Sequence, residues 1–486
     1  MNQASTPIIV SVTSATAKNN PSLRPASPSP APDGDPRLFG REHRALALGL
    51  VGVVVAVAFE AIAVATAMPV AARDLDGLRY YGLAFSVFLT TSLLGMVISG
   101  AVSDRRGPVV PFLSAAVVFG TGLVLAGAAP SMWVLVLARA VQGFGGGLFI
   151  VALYVIVARA FPEGLRPRVF SAISSGWILP ALIGPLVAGF LADELSWRWV
   201  FFGVLPLLVG AVLLILPRLR HLDGEAAKSD DTTASGPRSR LRPALAAAVG
   251  VALLQYAGQV LAWVSVPLLA VAAVLLVPSV PRLLPAGALR LARGLPTVVT
   301  LRGVFSGAFF GAEVFIPLML IEERGLATTW AGASLTGGAL TWALGAWFQG
   351  RPGLGVSRAR LIRVGFLLVV VGIAFVGLAT LDPVPPVAAA IGWVFAGLGM
   401  GLGLTSLSVL VLELSPLHEQ GANSAALQVS DALGSILFIG IGGAIFAGLH
   451  EGDGGNAGVF LLIYLLMAVI ALVGAAAAPR VRAASV

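Results

Sequence analysis

The stretch VAVAFEAIAVATAMP, residues 55–69, is a long apolar run that contains a single carboxylate, that of Glu60. In a soluble protein this run would be a core helix with Glu60 on its outer face. In a membrane-spanning helix a carboxylate at this depth would require a partner or a function. The rest of the sequence decides between these two interpretations.

The composition favours the membrane. The chain has 486 residues, of which 57% are hydrophobic and only 11% are charged, whereas soluble domains carry about 25% charged residues. Apolar runs of about 18 residues or more recur along the chain, and each can cross the hydrocarbon layer as a helix. They are far longer than the roughly 10-residue alternating segments of membrane barrels. The predicted fold class is therefore all-α, a polytopic membrane protein.

The apolar runs form groups of six, two and six, which predicts fourteen transmembrane helices. They cover approximately residues 46–70, 82–102, 108–129, 132–160, 169–192, 199–217, 244–261, 263–280, 303–321, 329–349, 361–381, 386–412, 421–449 and 458–478. The predicted units are a disordered cytoplasmic tail (1–43), a six-helix bundle (44–217), a cytoplasmic linker with two extra helices (218–302), a second six-helix bundle (303–479) and a cytoplasmic tail (480–486). The two extra helices are predicted to be peripheral, because the repeat needs only six helices in each half.

Lysine and arginine lie almost entirely on one side of the predicted membrane. With the N-terminus in the cytoplasm, 26 of the 31 basic residues fall in inside segments, 4 fall in outside segments, and Arg139 lies within a span. Short cytoplasmic loops are enriched in these residues, so both termini are predicted to be cytoplasmic. The net charge of +8 is then a consequence of topology, and no nucleic-acid partner is expected.

Single cysteines at Ser229 and Gly454 would test this topology, because the chain has no cysteine of its own. A membrane-impermeant maleimide should label Ser229→Cys only from the cytoplasmic side and Gly454→Cys only from outside. The cysteine-free parent is the control for unspecific labelling. The reverse labelling pattern would contradict the predicted orientation.

The two groups of six runs resemble diverged copies of one unit. Pro69 and Gly77, after the first run, are matched by Pro317 and Gly325 at a constant offset of 248 residues. Duplicated six-helix halves are a recurrent transporter architecture in which the substrate site lies between the halves. The repeat therefore predicts a transporter.

The segment GAVSDRRG, residues 100–107, connects the second and third predicted spans. It resembles the signature of the major facilitator superfamily, with Gly100, Asp104, Arg105 and Gly107 at matching positions. A Pro-Val pair stands where the family usually carries two basic residues. The resemblance implies a charged latch on the cytoplasmic side that holds one conformational state. An ordinary basic loop is the alternative.

The segment LARAVQGFGGG, residues 137–147, places an arginine inside the fourth predicted span. It resembles another motif of the superfamily, with Arg139 and Gln142 at matching positions. A buried arginine is costly unless it pairs or faces water. The glycines predict close helix packing, because a phosphate-binding loop would need a preceding strand and a following Lys-Ser/Thr.

The segment PALIGPLVAG, residues 180–189, resembles the motif of the antiporter branches of the superfamily through Gly184, Pro185 and Gly189. The resemblance implies a bent and closely packed helix that limits leakage.

The segment WRWVFF, residues 197–202, resembles the start of the sixth helix in the fourteen-helix drug:proton antiporters. An interfacial aromatic belt could give the same pattern.

Glu60 precedes Pro69 by nine residues, the spacing at which the same branch carries an acidic residue on its first helix. A rise of 1.5 Å per residue places Glu60 about 15 Å and Arg139 about 12 Å from the outer surface, so the two charges can meet. Glu60 is predicted to bind a proton in one conformation and to release it in another; a static ion pair is the alternative. Glu313 and Asp431 are further proton-coupling candidates at membrane depth.

Five side chains are predicted to line a substrate cavity: Phe59, Gln142, Trp177, Phe310 and Trp342. Aromatic rings in membrane helices also pack against lipid or against other helices, which is the alternative for the four aromatic residues of this set. Such rings would suit amphipathic or cationic compounds.

The sequence therefore predicts proton-coupled efflux of amphipathic or cationic small molecules by alternating access, as in a multidrug or antibiotic exporter. A substrate-specific exporter or importer of a metabolite is the alternative within transport. An enzyme is not expected, because neither H-E-x-x-H nor G-x-S-x-G occurs, and a sensor would not require buried acids in both halves.

We expect a monomer in the cell membrane. Its transport is expected to be driven by the proton gradient, with no other cofactor and no metal. Its expected partners are the lipid bilayer and the small-molecule substrate.

Overall fold

The computed structural model describes residues 43–162, 165–226, 238–260, 263, 265–349, 351, 355–416, 419–450 and 455–482, and the regular elements within these ranges are helices. The helices before the linker are α1 (Arg44–Asp74), α2 (Tyr81–Arg106), α3 (Val109–Gly127), α4 (Met132–Ala160), α5 (Arg166–Ser175), α6 (Ile178–Phe190), α7 (Arg198–Phe202) and α8 (Val204–Ala226). The linker is followed by α9 (Arg238–Val260) and α10 (Ser265–Leu283). The remaining helices are α11 (Leu295–Glu313), α12 (Phe315–Glu322), α13 (Thr328–Ala333), α14 (Thr336–Gln349), α15 (Arg358–Leu378), α16 (Val387–Glu413), α17 (Gln420–Leu449) and α18 (Ala457–Ala477).

The ends of these helices follow from particular residues. Ser131 caps α4 and accepts a hydrogen bond from the Val134 backbone N–H at 3.5 Å, which satisfies one of the free donors of the first turn. Gly107 ends α2 with a φ of +76°, a conformation that costs glycine least. The break between α11 and α12 lies just before Pro317, which has no N–H to continue the helical hydrogen bonds.

Twelve helical stretches of the described chain are long and apolar enough to cross a membrane, so the predicted count of fourteen is not confirmed. Two predicted spans are absent from these twelve, although both are helical. Residues 244–261 lie largely on α9, and residues 329–349 are divided between α13 and α14 by a turn at residues 334–335. This turn leaves two helices that are each too short to cross the hydrocarbon alone.

The two halves of the chain pack their helices in the same way. In the first half α4 packs against α2 and α3, and in the second half α16 packs against α14 and α15. Similarly, α1 packs against α6 and α8, whereas α11 packs against α17 and α18. The matched pairs occur in the same order along the chain, as expected for a duplicated unit.

The halves meet along one seam. Helix α2 packs against α17, α6 packs against α13 and α14, and α1 packs against α12 and α13. Small residues allow the close approach: a Cβ atom added at Gly82 would collide with the backbone of Gly443. A side chain larger than glycine at this point would therefore force α2 and α17 apart.

Helix α9 lies beside this seam and contacts both α2 and α17, whereas α10 packs on α9. The side chain of Gln255 on α9 is buried. It accepts a hydrogen bond from the Thr90 hydroxyl at 3.3 Å and donates one to the Ile436 carbonyl at 3.4 Å. One of the two extra helices therefore bridges the two halves through a single polar side chain.

Gln255→Leu is expected to destabilise the protein by about 1–2 kcal/mol, because it removes two buried hydrogen bonds to the neighbouring helices. The midpoint of thermal unfolding in detergent should fall. Tyr256→Phe, on the adjacent half-exposed position, is the matched control and should leave the midpoint unchanged. Equal midpoints for Gln255→Leu and the parent would show that this bridge contributes nothing to stability.

Several sequence predictions concern residues outside the described ranges. They are the disordered tail up to residue 42, the linker residues 227–237 with the labelling position Ser229, the loop 451–454 with the labelling position Gly454, and the C-terminal residues 483–486.

Candidate functional site

Glu60 and Arg139 form a buried ion pair between α1 and α4, with Arg139 Nη1 against Glu60 Oε1. The Glu60 side chain is fully buried and that of Arg139 is 3% exposed. The rise per residue predicts similar depths for these two charges, and in the structure they are in direct contact. A buried pair of this kind is stable only when further hydrogen bonds satisfy its remaining polar atoms.

Arg139 has several such partners. Its Nη1 donates to Gln142 Oε1 at 3.1 Å, and its Nε donates to the Ala84 carbonyl at 3.3 Å. Its guanidinium carbon lies 4.3 Å from the centre of the Phe88 ring, a favourable position for a cation. The arginine is therefore held by α2 and α4 independently of Glu60, and it can remain charged if the carboxylate takes up a proton.

Glu60 is held at only one of its two oxygens. Among the described residues no hydrogen-bond partner lies near Glu60 Oε2, nor near the buried amide nitrogen of Gln142. Unsatisfied polar atoms in a buried position are uncommon and costly. The pair thus presents a free carboxylate oxygen and a free amide donor, an arrangement suited to binding a proton or a polar ligand group.

Glycines set the close packing around this pair. A Cβ atom at Gly143 would collide with the Phe88 carbonyl on α2, and one at Gly147 would collide with the Ser92 carbonyl. The glycine run of α4 therefore allows the helix backbones to touch, which confirms the packing interpretation.

Glu313 is the last residue of α11, directly before the helix break. The Trp393 indole N–H donates to Glu313 Oε1 at 3.2 Å. The hydroxyl of Tyr81, from the first half, donates to the carbonyl of the next residue, Val314, at 2.7 Å. Glu313 therefore lies where the second half touches the first.

Aromatic rings lie next to Glu313. The ring centres of Phe309 and Trp393 are 4.6 Å apart, and those of Phe310 and Trp342 are 6.2 Å apart. Phe310 and Trp342, both predicted to line a cavity, are thus neighbours of one another. Together with the carboxylate they form an acidic, aromatic surface in the second half.

Asp431 is paired with a residue that the sequence prediction left outside the spans. Arg302 Nε donates to Asp431 Oδ1 at 2.7 Å, and the Ser306 hydroxyl also contacts this oxygen. Arg302 Nη1 donates to the Ser408 hydroxyl at 2.9 Å. Arg302 was counted with the preceding basic loop because the span was predicted to begin at residue 303, whereas α11 begins at Leu295. Pro296 near the helix start was the available signal.

The two halves are joined by polar contacts at the end where α1 finishes. Arg73 Nε lies 2.6 Å from Glu322 Oε1. The carboxylate of Asp193 accepts hydrogen bonds from the backbone N–H groups of Thr328 at 3.3 Å and Thr329 at 3.0 Å. These contacts close the seam at that end of the molecule.

The antiporter-like motif lies on the same seam. A Cβ atom at Gly184 would lie 3.2 Å from Ile62 on α1, and one at Gly189 would collide with the Thr329 backbone. Pro185 is inside α6. The motif therefore lets α6 approach α1 and the second half closely.

The remaining predicted residues make no recorded polar contact with the ion pair in the described part of the chain. Gly100 and the exposed Arg105 are near the end of α2, and the Asp104 side chain is outside the described part. Phe59 is half-buried on α1. Trp177 lies between α5 and α6 and is 46% exposed. The structure thus does not bring Trp177 to either acidic site. The described ranges contain no cluster of acidic and histidine side chains that could hold a metal ion.

Comparison with known proteins identifies relatives over most of the chain. A model of the Major Facilitator Superfamily matches residues 48–439. The multidrug transporter protein MdtP of Bacillus subtilis is 26% identical over 413 residues, which cover 82% of this chain and 74% of that protein. The MFS-type efflux pump MFS1 of Arthroderma benhamiae is 26% identical over 447 residues, which cover 84% and 79% of the two chains. A POT family transporter crystallised with 5-aminolevulinic acid has the same fold, with a TM-score of 0.68 and 16% identity over 92% of this chain and 98% of that chain.

Proposed function

The chain belongs to the Major Facilitator Superfamily, a family of membrane transporters, and on this premise we propose that it exports amphipathic or cationic small molecules in exchange for protons. The observation that carries the proposal is the buried Glu60–Arg139 pair with its free carboxylate oxygen. The similarity to multidrug efflux proteins supports the direction of transport and the substrate class.

Glu60 would act as the proton-coupling carboxylate. In the present state Arg139 stabilises its ionised form, whereas burial favours the protonated form. A movement of α4 relative to α1 that separates the two would leave an uncompensated carboxylate, which would take up a proton. Arg139 would keep its contacts with Gln142 and Phe88 meanwhile. The pair can thus link proton uptake to a conformational change.

Glu313 and its aromatic neighbours would serve the substrate. The Glu313 carboxylate would attract an organic cation by its charge, and the half-buried rings of Phe310 and Trp342 would attract it by their faces. Flat apolar rings can also bind different amphipathic compounds without specific hydrogen bonds. Asp431 already has a close cationic partner in Arg302, so its proposed coupling role is secondary.

The proposed transport cycle alternates access on the two sides of the seam. We place the protein in the plasma membrane with both termini in the cytoplasm and with fourteen spans, counting α9 and the divided α13–α14 segment. In this orientation the end closed by Arg73–Glu322 and by Asp193 is the outer one. The contacts at that end would break when the site opens outward.

Gradient-driven transport in proteoliposomes tests the proposal. Purified protein is reconstituted, a pH gradient is imposed, and uptake of a panel of compounds is measured with and without an uncoupler. We expect lipophilic organic cations to accumulate only when the gradient is present, with one or more protons moving in the opposite direction. Transport of a single hydrophilic metabolite, with no transport of the cations, would instead support the substrate-specific alternative.

A further inference from the structure

The hairpin of α9 and α10 carries a groove at the end where the chain enters α9 and leaves α10. The groove has a volume of about 260 Å³ and is open to the surroundings of the protein. Arg242 and Arg282, one from each helix, line it together with Ala246, Val274 and Pro278. It thus combines two cationic side chains with an apolar wall.

The two arginines are available for an anion. Both are exposed, and none of the groove-lining residues is acidic. In the described ranges Arg282 has a hydrogen bond from Nη1 to the Pro278 carbonyl on its own helix at 3.2 Å, and neither arginine has a recorded ion pair with a carboxylate. Two unpaired guanidinium groups at one site favour a phosphate, which accepts hydrogen bonds from both.

The apolar wall faces the lipid. Val274 and Val277 on α10 are each 72% exposed, and α10 is covered mainly by α9. A soluble anion would have to leave water to contact such a wall, whereas the acyl chain of a lipid already lies in the apolar layer that the wall faces. Helix α10 is one of the twelve candidate membrane spans, and the two charges lie at one end of the hairpin, the level at which lipid headgroups are found.

We propose that this groove binds an anionic phospholipid, with its phosphate between Arg242 and Arg282 and the upper part of an acyl chain along α10. Basic pockets between membrane helices are suited to such headgroups. The bound lipid would hold the α9–α10 hairpin together. Because α9 also contacts α2 and α17, the lipid would stabilise the helix that bridges the halves.

Thermal unfolding of the full-length protein in detergent provides the test, with added phosphatidylglycerol or phosphatidylcholine. We expect phosphatidylglycerol to raise the midpoint of the parent and phosphatidylcholine to raise it much less. The variant Arg242→Gln/Arg282→Gln should need about tenfold more phosphatidylglycerol for the same rise, a loss of about 1.4 kcal/mol in binding. Arg290→Gln/Arg360→Gln, which removes two exposed arginines elsewhere, is the matched control and should behave like the parent.

Native mass spectrometry supplies a second readout if the double variant folds poorly. Ala246→Trp, which fills the apolar wall and keeps both arginines, should retain fewer phosphatidylglycerol molecules than the parent. Equal responses to the two lipids, or an unchanged response in both variants, would overturn the proposal. Inorganic phosphate that reproduces the stabilisation would show that the groove is a site for a free anion and not for a lipid.

Discussion

Glu60→Gln is expected to abolish export driven by a pH gradient while leaving the protein folded and able to bind its substrate. Glutamine retains the size of the side chain and a carbonyl oxygen that can accept a hydrogen bond from Arg139. It cannot exchange a proton, so the step that links protonation to the movement of α1 and α4 is lost. The measurement is uphill efflux from proteoliposomes across a range of pH, with substrate binding measured separately.

The control for this experiment is Glu194→Gln, which neutralises an exposed carboxylate in the turn after α6. This variant should pump like the parent. Substrate exchange without a gradient should persist in Glu60→Gln, because that exchange needs no net proton movement. If Glu60→Gln still pumps uphill at the parental rate over the whole pH range, Glu60 is a packing residue and the Glu60–Arg139 pair is static.

Much of the first half could be predicted from the sequence because its signals are local. The contact between Glu60 and Arg139 follows from their positions along two predicted helices. The rise per residue gives the depth of each charge, and the distribution of basic residues gives the direction of each helix. The end of α2 at Gly107 follows from the short motif that connects the second and third predicted spans. Such features depend on neighbours along the chain, and they do not require knowledge of how the helices pack.

The second half was harder to predict because its signals depend on tertiary contacts. Arg302 appeared to belong to a loop, since a charged residue lowers the local hydropathy. In the structure Asp431 on α17 compensates its charge, and Ser408 on α16 accepts a hydrogen bond from it. The turn at residues 334–335 has no breaking proline, so the run 329–349 was predicted as one helix. The bridge made by Gln255 could not be foreseen, because it requires α9 to lie at the seam.

The two intramembrane ion pairs differ in a way that indicates different roles. Glu60 has one oxygen without a partner among the described residues, and its arginine has partners on two helices. Asp431 is held by Arg302 and Ser306 through the same oxygen, and its side chain is 27% exposed. Loss of a proton-coupling carboxylate should impair export more than folding. Loss of a stabilising ion pair should impair folding more than export.

Asp431→Asn is therefore expected to destabilise the protein by about 2 kcal/mol. This is less than the roughly 3–5 kcal/mol for a fully buried pair, because water reaches part of the carboxylate and screens it. Arg302→Gln should cost a similar amount, and the double variant Arg302→Gln/Asp431→Asn should cost clearly less than the sum of the two. The measurement is a double-mutant cycle of thermal stability in detergent.

Transport by the double variant distinguishes the two roles of Asp431. With both charges removed, no uncompensated charge remains at this position, so the protein should fold and insert normally. If the pair between α11 and α17 only stabilises the second half, the double variant should keep most of the gradient-driven export that Glu60→Gln loses. A stable double variant that binds substrate but cannot pump would instead place Asp431 in the proton pathway. This is the role that the sequence analysis predicted from the depth of Asp431 in the membrane. The outcome thus decides whether this transporter uses one titrating carboxylate in the first half or one in each half.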